Sequence, residues 1–134
     1  DLKINTDVNN FDGKISYLKK KELSQISSVK KNTALKRMQG LIKEKKIDGY
    51  KLETILTNSK DKNKRIDFLN IEVEDGDFDA LCSINFDVYR PKVICIEIDE
   101  FNILGSNIYK YLINLSYKKI WSSKSGLSHI FTDL

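Results

Sequence analysis

Two short apolar runs, each ending in carboxylates, constrain the fold of this chain more than any other feature. The runs occupy residues 66–74 and 91–98, and Phe78, Leu81 and Cys82 lie between them with helical spacing. A strand, a crossover helix and a second strand form a βαβ unit, which predicts a parallel pair of strands. The sequence therefore indicates an α/β fold built around these two strands.

Four carboxylates lie at the carboxyl ends of these predicted strands. They are Glu72, Glu74, Glu97 and Asp99. In open parallel sheets, ligands bind beyond the carboxyl ends of the strands, so we expect these side chains to share one crevice. Carboxylates at this position can orient a substrate hydroxyl, act as a general base or help to hold a divalent metal. The competing interpretation is solvated charge at two strand ends.

Composition indicates one folded domain. The chain has 134 residues, 40% of them hydrophobic, and contains one Pro. No apolar run approaches the roughly 18 residues that a membrane span requires, and no signal peptide opens the chain. Cys82 and Cys95 lie in apolar runs, so we expect two buried thiols in a reducing compartment, which favours a cytoplasmic protein.

Charge is distributed unevenly along the chain. Residues 1–65 carry 17 Lys and Arg against 8 Asp and Glu, whereas residues 66–134 carry 6 against 11. A basic half invites a nucleic-acid hypothesis, but it contains few aromatic residues and no recognisable binding motif. A solvated helix face explains most of these lysines, so nucleic-acid binding is disfavoured. A basic module that binds an acidic partner stays open as an alternative.

The basic half is predicted to contain a hairpin and a helix. Alternating residues predict a strand over 2–8, and a turn at 9–13 joins it to a second strand over 14–18. The remaining predictions are a loop over 19–28, an amphipathic helix over about 29–46 that Asp48-Gly49 ends, and helical turns over 53–56.

The second half is predicted to form the sheet core. We expect strands over 66–73 and 91–98, with Asp77 capping the helix 78–84 between them. Ser106 is placed to cap another helix. Two further strands, over 117–121 and 128–132, would form a terminal antiparallel hairpin with its turn at Ser125-Gly126.

Side chains outside the acidic crevice have simpler interpretations. The lone His129 lies on a terminal strand and is predicted to be a surface or packing residue rather than a catalytic base. Trp121, Tyr111 and Tyr117 are predicted to lie in the core.

Residues 66–97 carry a resemblance to a known family. Residues 66–81 read IDFLNIEVEDGDFDAL, which resembles the pattern iDfLkIDvEG-x-(D/E)-x-x-vL of the FkbM family of S-adenosylmethionine-dependent methyltransferases. Residues 84–97 read INFDVYRPKVICIE and are similar to that family's l-(D/N)-f-x-x-yRPkvIciE. A looser likeness extends from about residue 2 to residue 131, including L-x-x-x-gY at residues 112–117.

The resemblance implies a fold and an activity. The fold would be a Rossmann-like class I methyltransferase domain, with a mostly parallel sheet and a C-terminal antiparallel hairpin. Residues 1–65 would form a basic hairpin-plus-helix region, and residues 66–134 the sheet core of a single domain. The implied reaction transfers a methyl group from S-adenosylmethionine to a hydroxyl of a sugar or other small-molecule or glycan acceptor.

The same resemblance assigns roles to the carboxylates. Glu72 and Glu74 would be catalytic, the first of them standing where the family has aspartate. The substrate-binding set would comprise Asp75, Asp77, Glu97 and Asp99. Asp75 stands where the family has glycine, and Gly76 follows one place later, so the turn beyond the strand is expected to be altered.

One expected element of such enzymes is missing from the sequence. Class I methyltransferases bind the cofactor at a glycine-rich loop, whereas the glycines here are isolated, at positions 13, 40, 49, 76, 105 and 126. We therefore expect the C-terminal part of an incomplete domain, unable to bind the cofactor tightly alone. A degenerate, non-catalytic module is the alternative, and a metal-dependent nuclease ranks last because the expected nearby lysine is absent.

Overall fold

The computed structural model describes residues 7–8, 12–20, 23–28, 42–73, 76–99 and 101–134. Within them the chain forms two four-stranded sheets. The first sheet contains β1 (Asp7–Val8), β2 (Gly13–Lys20), β3 (Leu23–Ser28) and β4 (Ile42–Tyr50), in the order β1-β4-β2-β3. β4 runs antiparallel to β2 and parallel to β1.

This first sheet corrects several predictions. β1 pairs with β4 rather than with β2, so the hairpin predicted for residues 2–18 is wrong within the described residues. The predicted loop over 19–28 instead contains the end of β2 and all of β3. Residues 42–46 are strand rather than helix, because eight backbone pairings between β2 and β4 outweigh a weak local periodicity. Residues 29–41 of the predicted helix lie outside the described residues.

The second sheet holds the predicted βαβ unit. Its elements are α1 (Leu52–Thr57), β5 (Phe68–Ile71), α2 (Asp77–Cys82), β6 (Val93–Glu97), a 3₁₀ turn (Ile103–Gly105), α3 (Asn107–Asn114), β7 (Tyr117–Ser122) and β8 (Ser128–Asp133). The strand order is β5-β6-β8-β7. β5 and β6 are parallel, whereas β6 with β8 and β7 with β8 are antiparallel. The prediction of a mostly parallel sheet is thus confirmed only for the pair β5 and β6, while the terminal hairpin is confirmed.

One face of the second sheet forms the core. In β6, Ile94 and Ile96 are buried and their neighbours along the strand are half-buried. The register places Phe131 opposite Ile94 and His129 opposite Ile96, so this face packs against the helices. Burial of each large apolar side chain contributes about 1.5–3 kcal/mol to stability. The most completely buried members are Leu81, Ile94, Ile96, Ile98, Leu112, Tyr117 and Phe131.

The two capping predictions have different outcomes. Ser106 does cap α3, since its hydroxyl accepts a hydrogen bond of 2.9 Å from the backbone N–H of Tyr109. Asp77 instead is the first residue of α2, and Gly76 holds the cap position. The Asp77 carboxylate accepts from the backbone N–H of Val73 at 3.2 Å, so it joins the end of the strand segment to the helix.

The Asp12 carboxylate connects the first sheet to α1. Asp12, just before β2, accepts from the backbone N–H of Lys51 at 2.8 Å and from the Thr54 hydroxyl at 2.9 Å. Ser83, at the end of α2, accepts from the backbone N–H of Leu52 at 3.0 Å through its hydroxyl. These bonds connect α1 to the first sheet through Asp12 and to the end of α2 through Ser83. In the part of the chain that is described, no helix has the length and apolarity needed to cross a membrane.

Candidate functional site

The carboxyl ends of β5 and β6 meet at one small cavity, which we call the acidic crevice. Its volume is about 100 Å³, and its lining includes Asn70, Glu72, Cys95, Glu97 and Ser128. Asn70 is paired with Cys95 across the two parallel strands. Side chains two residues apart on a strand share a face, so Glu72 and Glu97 follow on the same side at the strand ends. The predicted meeting of two acidic strand ends is confirmed for this pair.

The carboxylates of Glu72 and Glu97 line the acidic crevice. Glu72 is exposed and Glu97 is half-buried. None of the described residues that line the cavity is cationic. The pKa of the Cys95 thiol is raised, first by burial and then by the Glu72 carboxylate. Cys95 therefore stays a neutral thiol at pH 7, and the crevice offers hydrogen-bond acceptors rather than a thiolate nucleophile.

The other predicted site residues lie elsewhere or outside the described residues. Asp99 is exposed and does not line the acidic crevice, and Asp77 is 6% exposed and bonded to the backbone of Val73. Glu74 and Asp75 lie outside the described residues. The geometry therefore brings together Glu72 and Glu97.

Sequence reasoning missed several residues of the acidic crevice. Asn70 precedes Glu72 by two positions, so strand alternation alone could have placed it on the same face. Ser125, Leu127 and Ser128 come from the β7–β8 hairpin and also line the cavity. No local signal links that hairpin to β5, because its position follows from the pairing of β8 with β6.

His129 is a packing residue. Its side chain is completely buried, and Nδ1 lies 2.9 Å from the Ser122 hydroxyl, which accepts from Lys119 Nζ at 2.9 Å. Burial lowers the pKa of His129; the nearby Gly126 carbonyl opposes this shift, and Lys119 adds to it. Nε2 is buried without a hydrogen-bond partner among the described residues. The imidazole is therefore neutral at pH 7. Its complete burial favours packing over a surface position, the two interpretations that the sequence left open.

Two other sequence expectations are corrected by burial. Trp121 is 49% exposed rather than in the core, because it lies on the sheet face opposite α3. Cys82 is exposed, so the expectation of two buried thiols is wrong for it, and Cys95 is only half-buried.

Tyr117 is buried as predicted, and its hydroxyl donates to the Pro91 carbonyl. Burial raises the pKa of Tyr117 to about 12.

The acidic crevice does not fit a whole S-adenosylmethionine molecule. The turn between β5 and α2 contains one glycine, Gly76, rather than a glycine-rich loop. The acidic crevice of about 100 Å³ is smaller than the roughly 300 Å³ at which pockets for complete ligands begin. Within the same residues, no group of three or more His, Cys, Asp or Glu side chains converges as a metal site would require.

Comparison with known proteins identifies the family. Neither a curated protein nor a solved structure matches the chain. The family profile described as the Methyltransferase FkbM domain matches residues 1–119, a span that includes both strands of the parallel pair and their acidic ends. This match covers most of the sequence and agrees with the motif resemblance in residues 66–97. The chain therefore belongs to the FkbM methyltransferase domain family.

Proposed function

We propose that the acidic crevice binds the acceptor in a methyl transfer from S-adenosylmethionine to a hydroxyl oxygen. The family indicates methyltransferase activity. The observation that carries the proposal is the placement of Glu72 and Glu97 at the ends of two adjacent parallel strands, lining one cavity. Since the acidic crevice does not fit the whole donor, we propose that other residues of the complete enzyme hold it.

Glu72 is the proposed proton acceptor. Methyl transfer of this kind depends mainly on holding donor and acceptor in line, and a carboxylate that takes the hydroxyl proton adds to the rate. Glu72 is exposed at the mouth of the crevice, where an incoming hydroxyl can reach it. Glu97 lies across from it on β6 and would accept a second hydrogen bond, which would orient the acceptor.

The lining of the crevice supports a neutral, polyhydroxylated acceptor such as a sugar. Two carboxylates accept hydrogen bonds from hydroxyl groups, and the Asn70 amide and Ser128 hydroxyl can donate as well as accept. An acidic sugar would be repelled by the two glutamates. The cavity of about 100 Å³ holds one edge of a sugar ring rather than a whole oligosaccharide.

Glu72→Gln tests the proposal, with Asp99→Asn as the matched control. Both positions carry exposed carboxylates at the same end of the sheet, but only Glu72 lines the crevice. In the complete enzyme, supplied with labelled S-adenosylmethionine and a panel of neutral and acidic glycosides, Glu72→Gln should lower turnover by about 100-fold or more. Its melting temperature should stay that of the wild type, and Asp99→Asn should retain activity.

Two outcomes would overturn the assignment. Unchanged turnover in Glu72→Gln, at equal stability, would remove the proposed proton acceptor. Tight binding of nucleic acid by the chain, without any response to S-adenosylmethionine or glycosides in the complete enzyme, would instead favour a non-catalytic basic module.

A further inference from the structure

The opposite end of the parallel pair carries two larger cavities. Each has a volume of about 410 Å³, and they share a wall formed by Lys64, Arg65, Ile66 and Tyr89. These residues precede β5 and β6 in the chain, so both cavities lie at the amino ends of the two strands. We call them the apolar cavity and the basic cavity, and nothing in the proposed methyl transfer uses either one.

The apolar cavity lies between α1 and β5. Its apolar lining is formed by Leu52, Leu56, Phe68 and Leu69. The Asp61 carboxylate also lines it and is paired with Lys64. Phe68 remains 57% exposed, although it lines this cavity. Among the described strands β5 is at the edge of its sheet, since its one strand partner is β6. An apolar ligand body placed here would remove exposed hydrocarbon surface from water, which is favourable.

The basic cavity has an excess of positive charge. Among the described residues, four cationic side chains line it, those of Lys62, Lys64, Arg65 and Arg90. Lys64 is paired with Asp61 at 2.8 Å, and Arg90 is paired with Asp133. No ion pair of Lys62 or Arg65 occurs within the described residues. These two cations are therefore available to a ligand.

Part of the lining of the two cavities is already held in place. Arg90 donates from Nε and Nη2 to the Asp133 carboxylate, and Nη2 also donates to the Leu115 carbonyl at 2.6 Å. Tyr89 is buried, and its hydroxyl lies 3.1 Å from the Thr57 hydroxyl on α1. A lining whose side chains are already ordered loses little conformational entropy when a ligand binds.

We propose that the joined cavities bind an amphiphilic anion. The apolar body would occupy the apolar cavity against Phe68, and the anionic head, a phosphate or a carboxylate, would lie between Lys62 and Arg65 in the basic cavity. The shared wall places the two environments side by side, and this juxtaposition of an apolar lining with unpaired cations determines the ligand class. A purely apolar ligand would leave the cations unused, and a small inorganic anion would leave Phe68 exposed.

Calorimetric titration of the full chain with single-chain amphiphiles, each below its micelle concentration, tests this proposal. Dodecyl phosphate and dodecanoate carry the two candidate head groups, whereas dodecyl maltoside and dodecyltrimethylammonium are neutral and cationic controls of equal tail length. We expect at least one anion to bind about tenfold or more tightly than either control, because hydrogen bonds to charged groups are the stronger ones. The better of the two anions identifies the head group.

Substitutions localise the binding. Arg65→Gln and Lys62→Gln should each weaken the anion about tenfold, and Phe68→Gln should weaken every amphiphile. Lys124→Gln and Ile120→Gln are the matched controls, since Lys124 is exposed in the β7–β8 turn and Ile120, 56% exposed, lies on the far strand β7. Both controls should bind as the wild type does.

Three results would overturn the proposal. They are the absence of binding by both anions, equal binding of anionic and neutral amphiphiles, and unchanged affinity in both Arg65→Gln and Lys62→Gln. Circular dichroism of each variant, compared with its control, shows that a lost affinity is not a lost fold. None of these results bears on Glu72, so failure here is distinguishable from failure of the methyl-transfer proposal.

Discussion

The two ends of the β5–β6 pair differ in charge and in size. At the carboxyl end, Glu72 and Glu97 line a crevice of about 100 Å³; at the amino end, Lys62 and Arg65 line cavities of about 410 Å³. Because parallel strands place like ends at the same edge, each end gathers the charges of two separate loops. One strand pair can thus present two sites that differ in ligand chemistry.

Both ends of the strand pair depend on one hydrophobic core. The substitution with the largest expected loss of stability therefore disrupts both ends. Phe131→Ala deletes a completely buried side chain that packs 6.1 Å, ring to ring, from Tyr109. The cavity left behind should cost about 3–5 kcal/mol of unfolding free energy. Urea denaturation measures the loss, and Ile120→Ala on the exposed side of β7 should change stability by less than about 0.5 kcal/mol. Equal losses in the two variants would contradict this picture of the core.

A substitution at Arg90 should cost less stability and should affect only the amino end of the strand pair. Arg90→Ala removes the bidentate pair with Asp133, the bond to Leu115 and the contact of the guanidinium with the Tyr117 ring at 5.1 Å. Since the arginine is partly exposed, we expect a loss of about 1–2 kcal/mol. Thermal unfolding checks it, and Lys64→Ala, which removes an ion pair whose lysine side chain is 77% exposed, should lose less. Weaker binding of acceptor at the acidic crevice in Arg90→Ala would contradict the separation of the two ends.

Acidification should affect the two ends at different pH values. Burial lowers the pKa of His129, so the unfolded chain takes up a proton below about pH 6.5 that the folded chain does not. Stability should therefore fall as the pH drops below 6.5, by at most about 1.4 kcal/mol per pH unit. His129 neighbours Ser128 of the acidic crevice, so this loss concerns the carboxyl end. Denaturant midpoints at pH 7 and pH 5 should differ less in His129→Gln than in the wild type.

At the amino end, the stability contributed by the Arg90–Asp133 pair should be lost only at a lower pH. The hydrogen bond from Arg90 lowers the pKa of Asp133 below its ordinary value of 3.8. A carboxyl whose folded pKa is lowered contributes stability above its unfolded pKa, and that contribution disappears as the pH falls through the folded pKa. The Arg90–Asp133 contribution should therefore persist at pH 5. A double-mutant cycle at pH 7 and pH 5 that gave different coupling energies would contradict this expectation.

The smallest expected effect is a stabilisation outside both ends. Ser116, just after α3, has φ of 68°, a left-handed conformation that favours glycine. Ser116→Gly relieves that strain but increases the entropy of the unfolded chain, so we expect a net gain of about 0.5 kcal/mol. Gly126, with φ of 77°, is the converse control, because Gly126→Ser should be destabilising. A stability loss in Ser116→Gly would show that the local strain is relieved in another way.

The sequence alone determined the features that depend on local patterning. Apolar runs with acidic ends predicted the parallel strands β5 and β6, and Ser106 predicted the start of α3, because a strand face and a helix cap each require only a few neighbouring residues. The motif in residues 66–97 was equally local, and it led to the family that the comparison confirms.

Tertiary structure alone decided which distant segments meet. It paired β1 with β4, brought the β7–β8 turn to the acidic crevice and joined two loops into the basic cavity. Pairings of this kind depend on backbone hydrogen bonds and burial between residues far apart in the chain, which leave no periodic signal in either partner.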